Sequence, residues 1–72
     1  MIERSNDSWL TSKVKSALLA QKGVPSDAIK VITENGIVYL MGIVSQDQGE
    51  LAANTARRVD GVREVVKVFQ YR

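Results

Sequence analysis

The sequence predicts an α+β domain in which two helices pack on one face of a three-stranded mixed sheet. Two segments with helix start and stop signals alternate with β-branched segments, in the order α-β-β-α-β. The connection from the second strand through the second helix to the third is long enough for a right-handed crossover, which makes these two strands parallel. The pattern leaves open whether the third strand lies beside the second or the first. A chain of 72 residues supports one core, so we expect residues 1–72 to form a single domain, with residues 1–5 flexible.

The first helix is predicted over Asp7–Gln21. A run of capping-type residues at positions 5–7 opens it, and Gly23 followed by Pro25 ends it. With about 100° per residue, one stripe of the helix is apolar and is expected to face the core. The stripe consists of Leu10, Val14, Ala17 and Leu18.

A β-hairpin is predicted around Asn35-Gly36, the dipeptide that most favours a two-residue type I′ turn because both central residues need a positive φ. The turn pairs Glu34 with Ile37 and, further along, Ile29 with Gly42. Because side chains alternate between faces, this register sorts the hairpin into two faces. One face carries Ile29, Val31, Val38, Leu40 and Val44, and the other carries Lys30, Ile32, Ile37, Tyr39, Met41 and Ile43.

The second helix is predicted to begin after Ser45, which can form a capping box with Gln48. Gly49 is unfavourable inside a helix, by about 1 kcal/mol relative to Ala, and no sequence pattern explains it. The last strand is predicted over Glu64–Tyr71. The inner stripe of the second helix is expected to consist of Leu51, Ala52, Ala56 and Val59.

Composition argues against most catalytic and metal-binding chemistry. The chain has no His and no Cys, so it lacks the commonest general base, a thiolate nucleophile and the ligands of Cys/His zinc sites. Its carboxylates lie at helix starts, turns and strand ends, where capping and solubility explain them. We therefore expect a protein that is not an enzyme and needs no metal and no cofactor. No stretch approaches the roughly 18 apolar residues of a membrane span.

Nucleic-acid binding is also disfavoured. The net charge is only +2, which is too weak to indicate a polyanion partner unless the charges cluster. The RNA-binding KH module has a similar element order but needs a Gly-x-x-Gly loop, and no two glycines here have that spacing. Arg57, Arg58 and Arg63 are then assigned to a helix end and a solvated loop.

The outer side of the first helix carries two large apolar residues, Trp9 and Leu19, away from the core stripe. An indole beside small residues, with lysines at the edges, is typical of a helix that rests in the headgroup layer of an anionic membrane. The alternative left open is that Trp9 folds back over the rim of the core. The candidate lipid-binding residues are Trp9, Ser12, Lys13, Ser16, Leu19 and Ala20.

The sheet face away from the helices is predicted to be apolar as well, although solvated sheet faces normally alternate to polar residues. A contiguous apolar patch of this kind favours an interface with another protein. The alternative is that β-branched residues occupy the face for strand propensity alone. The candidate interface residues are Ile32, Ile37, Tyr39, Met41, Ile43, Val66 and Val68, the last two on condition that Val65, Phe69 and Tyr71 point inward.

Two motifs resemble the BON domain family. Residues 35–44, NGIVYLMGIV, are similar to the family's N-G-x-V-x-L-x-G-x-V hairpin, and residues 59–65, VDGVREV, are similar to its G-V-x-x-V entry into the last strand. Residues 5–14, SNDSWLTSKV, together with Thr33–Gly36 and Leu40–Gly42, resemble the second BON domain of the dual-BON outer-membrane lipoproteins of the DolP group. The resemblance covers nearly the whole chain.

The resemblance implies a periplasmic module at the inner leaflet of the outer membrane that binds anionic, phosphatidylglycerol-like phospholipid through its first helix. It implies further that Trp9 takes the membrane-inserting position, that the parent lipoprotein supports outer-membrane integrity, and that the sheet faces a sister BON domain or another envelope protein. Weak self-association through the same face stays an alternative. Lys67 and Ile37 depart from the family pattern, so the open face is more apolar than in the family. Because a lipobox Cys and a first BON domain are missing, the sequence is expected to be part of a longer lipoprotein.

Overall fold

The computed structural model describes residues 7–72 and contains the predicted elements in the predicted order. Helix α1 spans Asp7–Ala20, strands β1 and β2 span Ile29–Glu34 and Ile37–Val44, helix α2 spans Gln46–Arg57, and strand β3 spans Glu64–Tyr71. A short 3-10 turn at Ser26–Ala28, which the sequence pattern did not predict, precedes β1. The α+β class is therefore confirmed. The expectations for the first six residues, namely flexibility of residues 1–5 and capping by Ser5 and Asn6, lie outside the described residues.

The helix ends follow the local signals closely. Helix α1 stops one residue short of the predicted Gln21, whose N–H is shared between the carbonyl oxygens of Ala17 at 3.1 Å and Leu18 at 3.2 Å. Such a shared bond marks the tightening of a last helical turn. At the start of α2 the capping box is confirmed: Gln48 N–H donates to Ser45 Oγ at 3.2 Å, and Ser45 N–H donates to Gln48 Oε1 at 2.9 Å.

The hairpin forms in the predicted register. Asn35 and Gly36 have φ angles of 54° and 80°, as a type I′ turn requires. Glu34 lies opposite Ile37, and Ile29 lies opposite Gly42. The two-residue turn alone thus decides which hairpin side chains face the helices.

Strand β3 lies beside β2 and parallel to it, which answers the question left open by the sequence. Val38 is level with Val65, and Val44 is level with Tyr71. The strand order is therefore β1-β2-β3, with β2 in the centre. Both helices pack on one face of this sheet, and the other face carries no helix within residues 7–72.

The core lies between the helices and the inner sheet face, and small side chains bring α2 close to the sheet. The predicted stripe of α1 is buried except at Ala17, which lies at the edge of the stripe and is half-buried. Correspondingly, Leu51 and Val59 of the stripe predicted for α2 are only half-buried. The buried residues within residues 7–72 are Leu10, Val14, Leu18, Ile29, Val31, Val38, Leu40, Val44, Ala52, Ala53 and Ala56, together with Gly49 and Thr55.

Helix α2 buries a wider arc than its sequence predicts because it contacts α1 as well as the sheet. Ala53 and Thr55 were not predicted to be inside, yet both are buried. The Thr55 hydroxyl donates to the Leu51 carbonyl oxygen at 2.8 Å, so its burial leaves no unsatisfied donor. Leu51 itself packs toward Gly23, where a Cβ would lie 3.1 Å from its Cδ2 atom.

Two glycines are explained by what lies against them. A Cβ on Gly49 would lie 3.0 Å from the Phe69 ring and 3.0 Å from the Tyr71 ring, so the glycine lets α2 settle on the two aromatic residues of β3. A Cβ on Gly42 would lie 2.2 Å from the carbonyl oxygen of Ala28, and its φ is +148°. Gly49 thus makes room for two side-chain rings, whereas Gly42 combines close backbone approach with a positive φ that other residues rarely adopt.

Lys67 faces α2 and ties β3 to that helix. Its Nζ atom lies 2.5 Å from Glu50 Oε2, and this ammonium holds the pKa of the Glu50 carboxyl below its usual value. The pair is exposed to solvent, so it adds little to stability. It does explain how a lysine is accommodated on the helix-facing side of β3.

Candidate functional site

The outer face of α1 presents two large apolar side chains to solvent. Trp9 is 60% exposed and Leu19 is 76% exposed. They lie about 15 Å apart along the helix axis and about 80° apart around it. Ser12, Ser16 and Ala20 share this face and are exposed, and because they are small, the indole and the leucine stand above their surroundings. This exposure argues against the alternative that Trp9 folds back over the rim of the core.

Hydrogen bonds at Asp7 and Thr11 hold the first turns of α1 against the hairpin. The Asp7 carboxylate accepts hydrogen bonds from the hairpin turn, from Asn35 N–H at 3.2 Å and Gly36 N–H at 3.5 Å. One turn later, Thr11 Oγ1 lies 2.8 Å from Thr33 Oγ1 on β1. Asp7 was predicted only as a helix cap, yet it also fixes the helix start against the sheet. These bonds hold the turn of α1 that carries Trp9 against the hairpin.

Lys13 was expected at the edge of the candidate lipid-binding face, and the structure gives it two specific contacts. Its Nζ atom lies 4.4 Å from the centroid of the Trp9 ring. The same ammonium donates a hydrogen bond to the backbone carbonyl oxygen of Asp60 at 3.0 Å. Lys13 therefore connects the exposed indole of α1 to the turn that follows α2.

A shallow groove of about 600 Å³, wide open to solvent, lies between α1 and the turn that follows α2. Its lining consists of Ser12, Lys13, Ser16, Arg58, Val59 and Asp60. Three of the candidate lipid-binding residues thus share a groove with Arg58, which the sequence analysis had assigned to a helix end. No sequence signal links Arg58 to α1, because the contact depends on how α2 crosses the sheet.

A second, smaller groove lies on the other side of α1. Its volume is about 250 Å³, and Lys15 and Leu19 of α1 line it together with Asp27 of the 3-10 turn and the β1 residues Ile29 and Val31. Leu19 therefore borders an apolar depression, whereas Trp9 contacts Lys13, which lines the groove that contains Arg58. The two apolar residues of the outer face have different neighbours.

The open sheet face is organised in rows across the three strands. The central row is Ile32, Tyr39 and Val66, and the row on one side of it is Lys30, Met41 and Val68. Ile43 and Val68 are 57% and 51% exposed. The condition set for Val66 and Val68 is met, because Val65 and Phe69 pack against the core and the Tyr71 ring lies against Gly49 of α2. All seven candidate interface residues therefore lie on one uncovered face.

No group of three His, Cys, Asp or Glu side chains within residues 7–72 is arranged to hold a metal ion. Neither helix of this range has the length and apolarity to cross a bilayer. Exposed large apolar side chains mark two surfaces of the described residues, the outer face of α1 and the open sheet face.

Comparison with known families agrees with the element order and the two motifs. A family model described as the BON domain matches residues 6–72. The chain belongs to the BON domain family. The hairpin motif of this BON domain now has a physical basis, since Asn35-Gly36 forms the turn and Gly42 allows β2 to approach Ala28.

Curated relatives come from the same family. The BON domain is 48% identical over 67 residues to the outer membrane lipoprotein DolP of Haemophilus influenzae, covering 93% of this chain and 35% of the relative. It is 51% identical over 67 residues to the 21 kDa hemolysin of Actinobacillus pleuropneumoniae, covering 93% and 34%. It is 45% identical over 62 residues to the osmotically-inducible protein Y of Escherichia coli, covering 85% and 31%. The chain spans about a third of the length of these relatives.

Proposed function

We propose that this BON domain binds anionic phospholipid surfaces through the outer face of α1, by contact and not by catalysis. The observation that carries the proposal is the exposure of Trp9 and Leu19 on one helix face, with serines between them and Lys13 beside the indole. Such a face can place an indole and a leucine among headgroups while the lysines meet anionic lipid. Similarity to an outer membrane lipoprotein supports a site of action in the cell envelope.

The finer parts of the proposal concern location and role. We place the domain in the periplasm, at the inner leaflet of the outer membrane, where it supports membrane integrity and acts without a cofactor. Phosphatidylglycerol-like lipid is the preferred partner, because lysines near a surface favour anionic headgroups. That the domain belongs to a longer lipoprotein stays a prediction from the family resemblance.

Binding by the isolated domain is expected to be weak. Burial of one Trp and one Leu contributes roughly 2 to 4 kcal/mol, and each lysine near an anionic surface adds about 1 kcal/mol. These gains are opposed by the loss of rotational and translational freedom on binding. Affinity therefore depends on the apolar contact, and losing either large residue should be measurable.

Substitution Trp9→Glu tests the proposal directly. The variant should lose binding to phosphatidylglycerol vesicles while keeping the circular dichroism spectrum of the native fold, because Trp9 lies outside the core. Co-sedimentation with vesicles and residue-by-residue chemical shifts measure the two effects. Gln46→Glu, which adds the same charge to an exposed position at the start of α2, is the control. Full binding by Trp9→Glu would disprove a role for the α1 face.

A second candidate function is self-association through the open sheet face, favoured by its exposed apolar rows and by its charges. Lys30 lies at one end of the face, and Glu34 and Glu64 lie at the other, beside Ile37. A two-fold axis across the strands, through the central Ile32 row, would place Lys30 of each copy over Glu34 of the other. Aligned sheet packing of this kind is common in β-sandwiches. We therefore propose a second copy of this domain as the occupant of the face.

The expected dimer is weak because the face is small. Three strands about 4.8 Å apart, with residues rising about 3.3 Å each, bury only a few hundred Å². Stable complexes bury about 800 Å² per partner. Lipid binding and self-association use different faces, so the two functions are compatible.

A further inference from the structure

The groove between α1 and the turn after α2 opens on the face that carries Trp9. Ser12 and Ser16 line the groove and also lie between Trp9 and Leu19 on the α1 wheel. A lipid that contacts the indole would therefore have its polar part beside these two hydroxyls. Arg58 faces them from the end of α2.

The donors around the groove suit a phosphate oxygen. Within residues 7–72, the Arg58 side chain makes no hydrogen bond and no ion pair, so its guanidinium N–H groups are available. Lys13 uses one of its N–H bonds on the Asp60 carbonyl oxygen, and this bond holds the ammonium at the groove without consuming its other donors. A guanidinium binds phosphate through two parallel N–H bonds, and an ammonium binds it as a point charge.

The neighbouring Arg57 differs from Arg58 in its hydrogen bonding and in its position relative to the groove. Its Nη1 atom donates to Asn54 Oδ1 at 2.6 Å, and the residue is not part of the groove lining. Two adjacent arginines at the end of α2, its last residue and its C-cap, thus have the same charge and are both exposed, but only Arg58 lines the groove. Any effect specific to Arg58 must come from local contact rather than from net charge.

The net charge of the side chains that line the groove suits a ligand with a single negative charge. Lys13 and Arg58 give two positive charges and Asp60 gives one negative charge, so one positive charge remains. We infer that this groove binds the phosphodiester of an anionic lipid headgroup, with Arg58 as a contact from the second helix. The inference rests on the proposed function, because the lipid chain contacts Trp9 in the same pose.

Arg58→Gln and Arg57→Gln form the matched pair that tests the inference. With vesicles of 30% phosphatidylglycerol in phosphatidylcholine, Arg58→Gln should weaken binding about fivefold, the loss expected for one cation at an anionic surface. Arg57→Gln should weaken it less than about twofold, because long-range charge is screened by salt. Asp60→Asn should strengthen binding, since it removes the opposing charge. Thermal unfolding of all three variants, whose side chains are exposed, checks that the fold is unchanged.

Equal losses in Arg58→Gln and Arg57→Gln would overturn the inference, and if Trp9→Glu still abolished binding, the proposed function would stand. Failure of the unaltered domain to bind the phosphatidylglycerol vesicles would overturn both. Inorganic phosphate serves to distinguish a lipid headgroup from soluble phosphate as the ligand of the groove. Saturation of the groove residues by low millimolar phosphate, with no displacement of vesicles, would show a site for soluble phosphate and contradict a headgroup site.

Discussion

The ammonium of Lys13 lies over the ring of Trp9, with 4.4 Å between Nζ and the ring centroid. A cation in this position is attracted by the ring quadrupole, by about 0.5 to 1 kcal/mol at an exposed site. The hydrogen bond from the same ammonium to the Asp60 carbonyl oxygen, at 3.0 Å, anchors it to the turn after α2. The contact therefore holds the indole in one orientation on the surface of α1, and in the proposed lipid complex this would lower the entropy lost on binding.

Lys13→Met is predicted to loosen Trp9 and to weaken binding to phosphatidylglycerol vesicles by about fivefold, through loss of one surface cation. Trp9 is the single tryptophan of the chain, so its fluorescence anisotropy reports this side chain alone and should decrease in the variant. Lys22→Met removes the same charge from an exposed position beyond α1 and serves as the control. If both variants bind the vesicles equally and show the same Trp9 fluorescence anisotropy, the contact between Lys13 and Trp9 has no role.

Sequence signals predicted those parts of the fold that depend on neighbouring residues. The Asn35-Gly36 turn determined the hairpin register, and the Ser45 capping box determined the start of α2. The turn and the capping box each involve only a few neighbouring residues, so their geometry does not depend on the rest of the chain. The outward direction of Trp9 and Leu19 followed from the helical period for the same reason.

The features that sequence analysis missed all depend on contacts between distant segments. Thr55 is buried because α1 and β3 both lie against α2, and glycine is favoured at position 49 because the Phe69 and Tyr71 rings lie close to it. Arg58 reaches the candidate site only through the crossing of α2 over the sheet. Local periodicity carries no information about such crossings. The groove could therefore be found only in the folded structure and not from the sequence.

Gly42→Ala is predicted to destabilise the domain severely, by more than about 3 kcal/mol. The added Cβ would lie 2.2 Å from the Ala28 carbonyl oxygen, so the start of β1 would have to separate from β2. Gly61→Ala is the comparison, because Gly61 also has a positive φ but its Cβ would meet only Leu10 Cδ1 at 3.4 Å. That variant should lose about 1 to 2 kcal/mol from backbone strain alone. Urea unfolding followed by circular dichroism measures both; equal losses would mean that close approach at Gly42 is unimportant.

The last prediction concerns the open sheet face. We expect a weak dimer that is present at about 1 mM and dissociated at about 10 µM, because the area of the face is small. Met41→Lys should abolish the dimer by placing a charge beside the central row, and should leave lipid binding intact. Lys30→Glu and Glu34→Lys should each weaken the dimer, because each places like charges opposite one another across the two-fold axis. The double variant Lys30→Glu/Glu34→Lys restores opposite charges and should recover association. Sedimentation velocity over this concentration range measures all four proteins and the parent. A monomer throughout would contradict a second copy as the occupant, and heterodimer formation with a separately added BON domain would identify a sister domain instead.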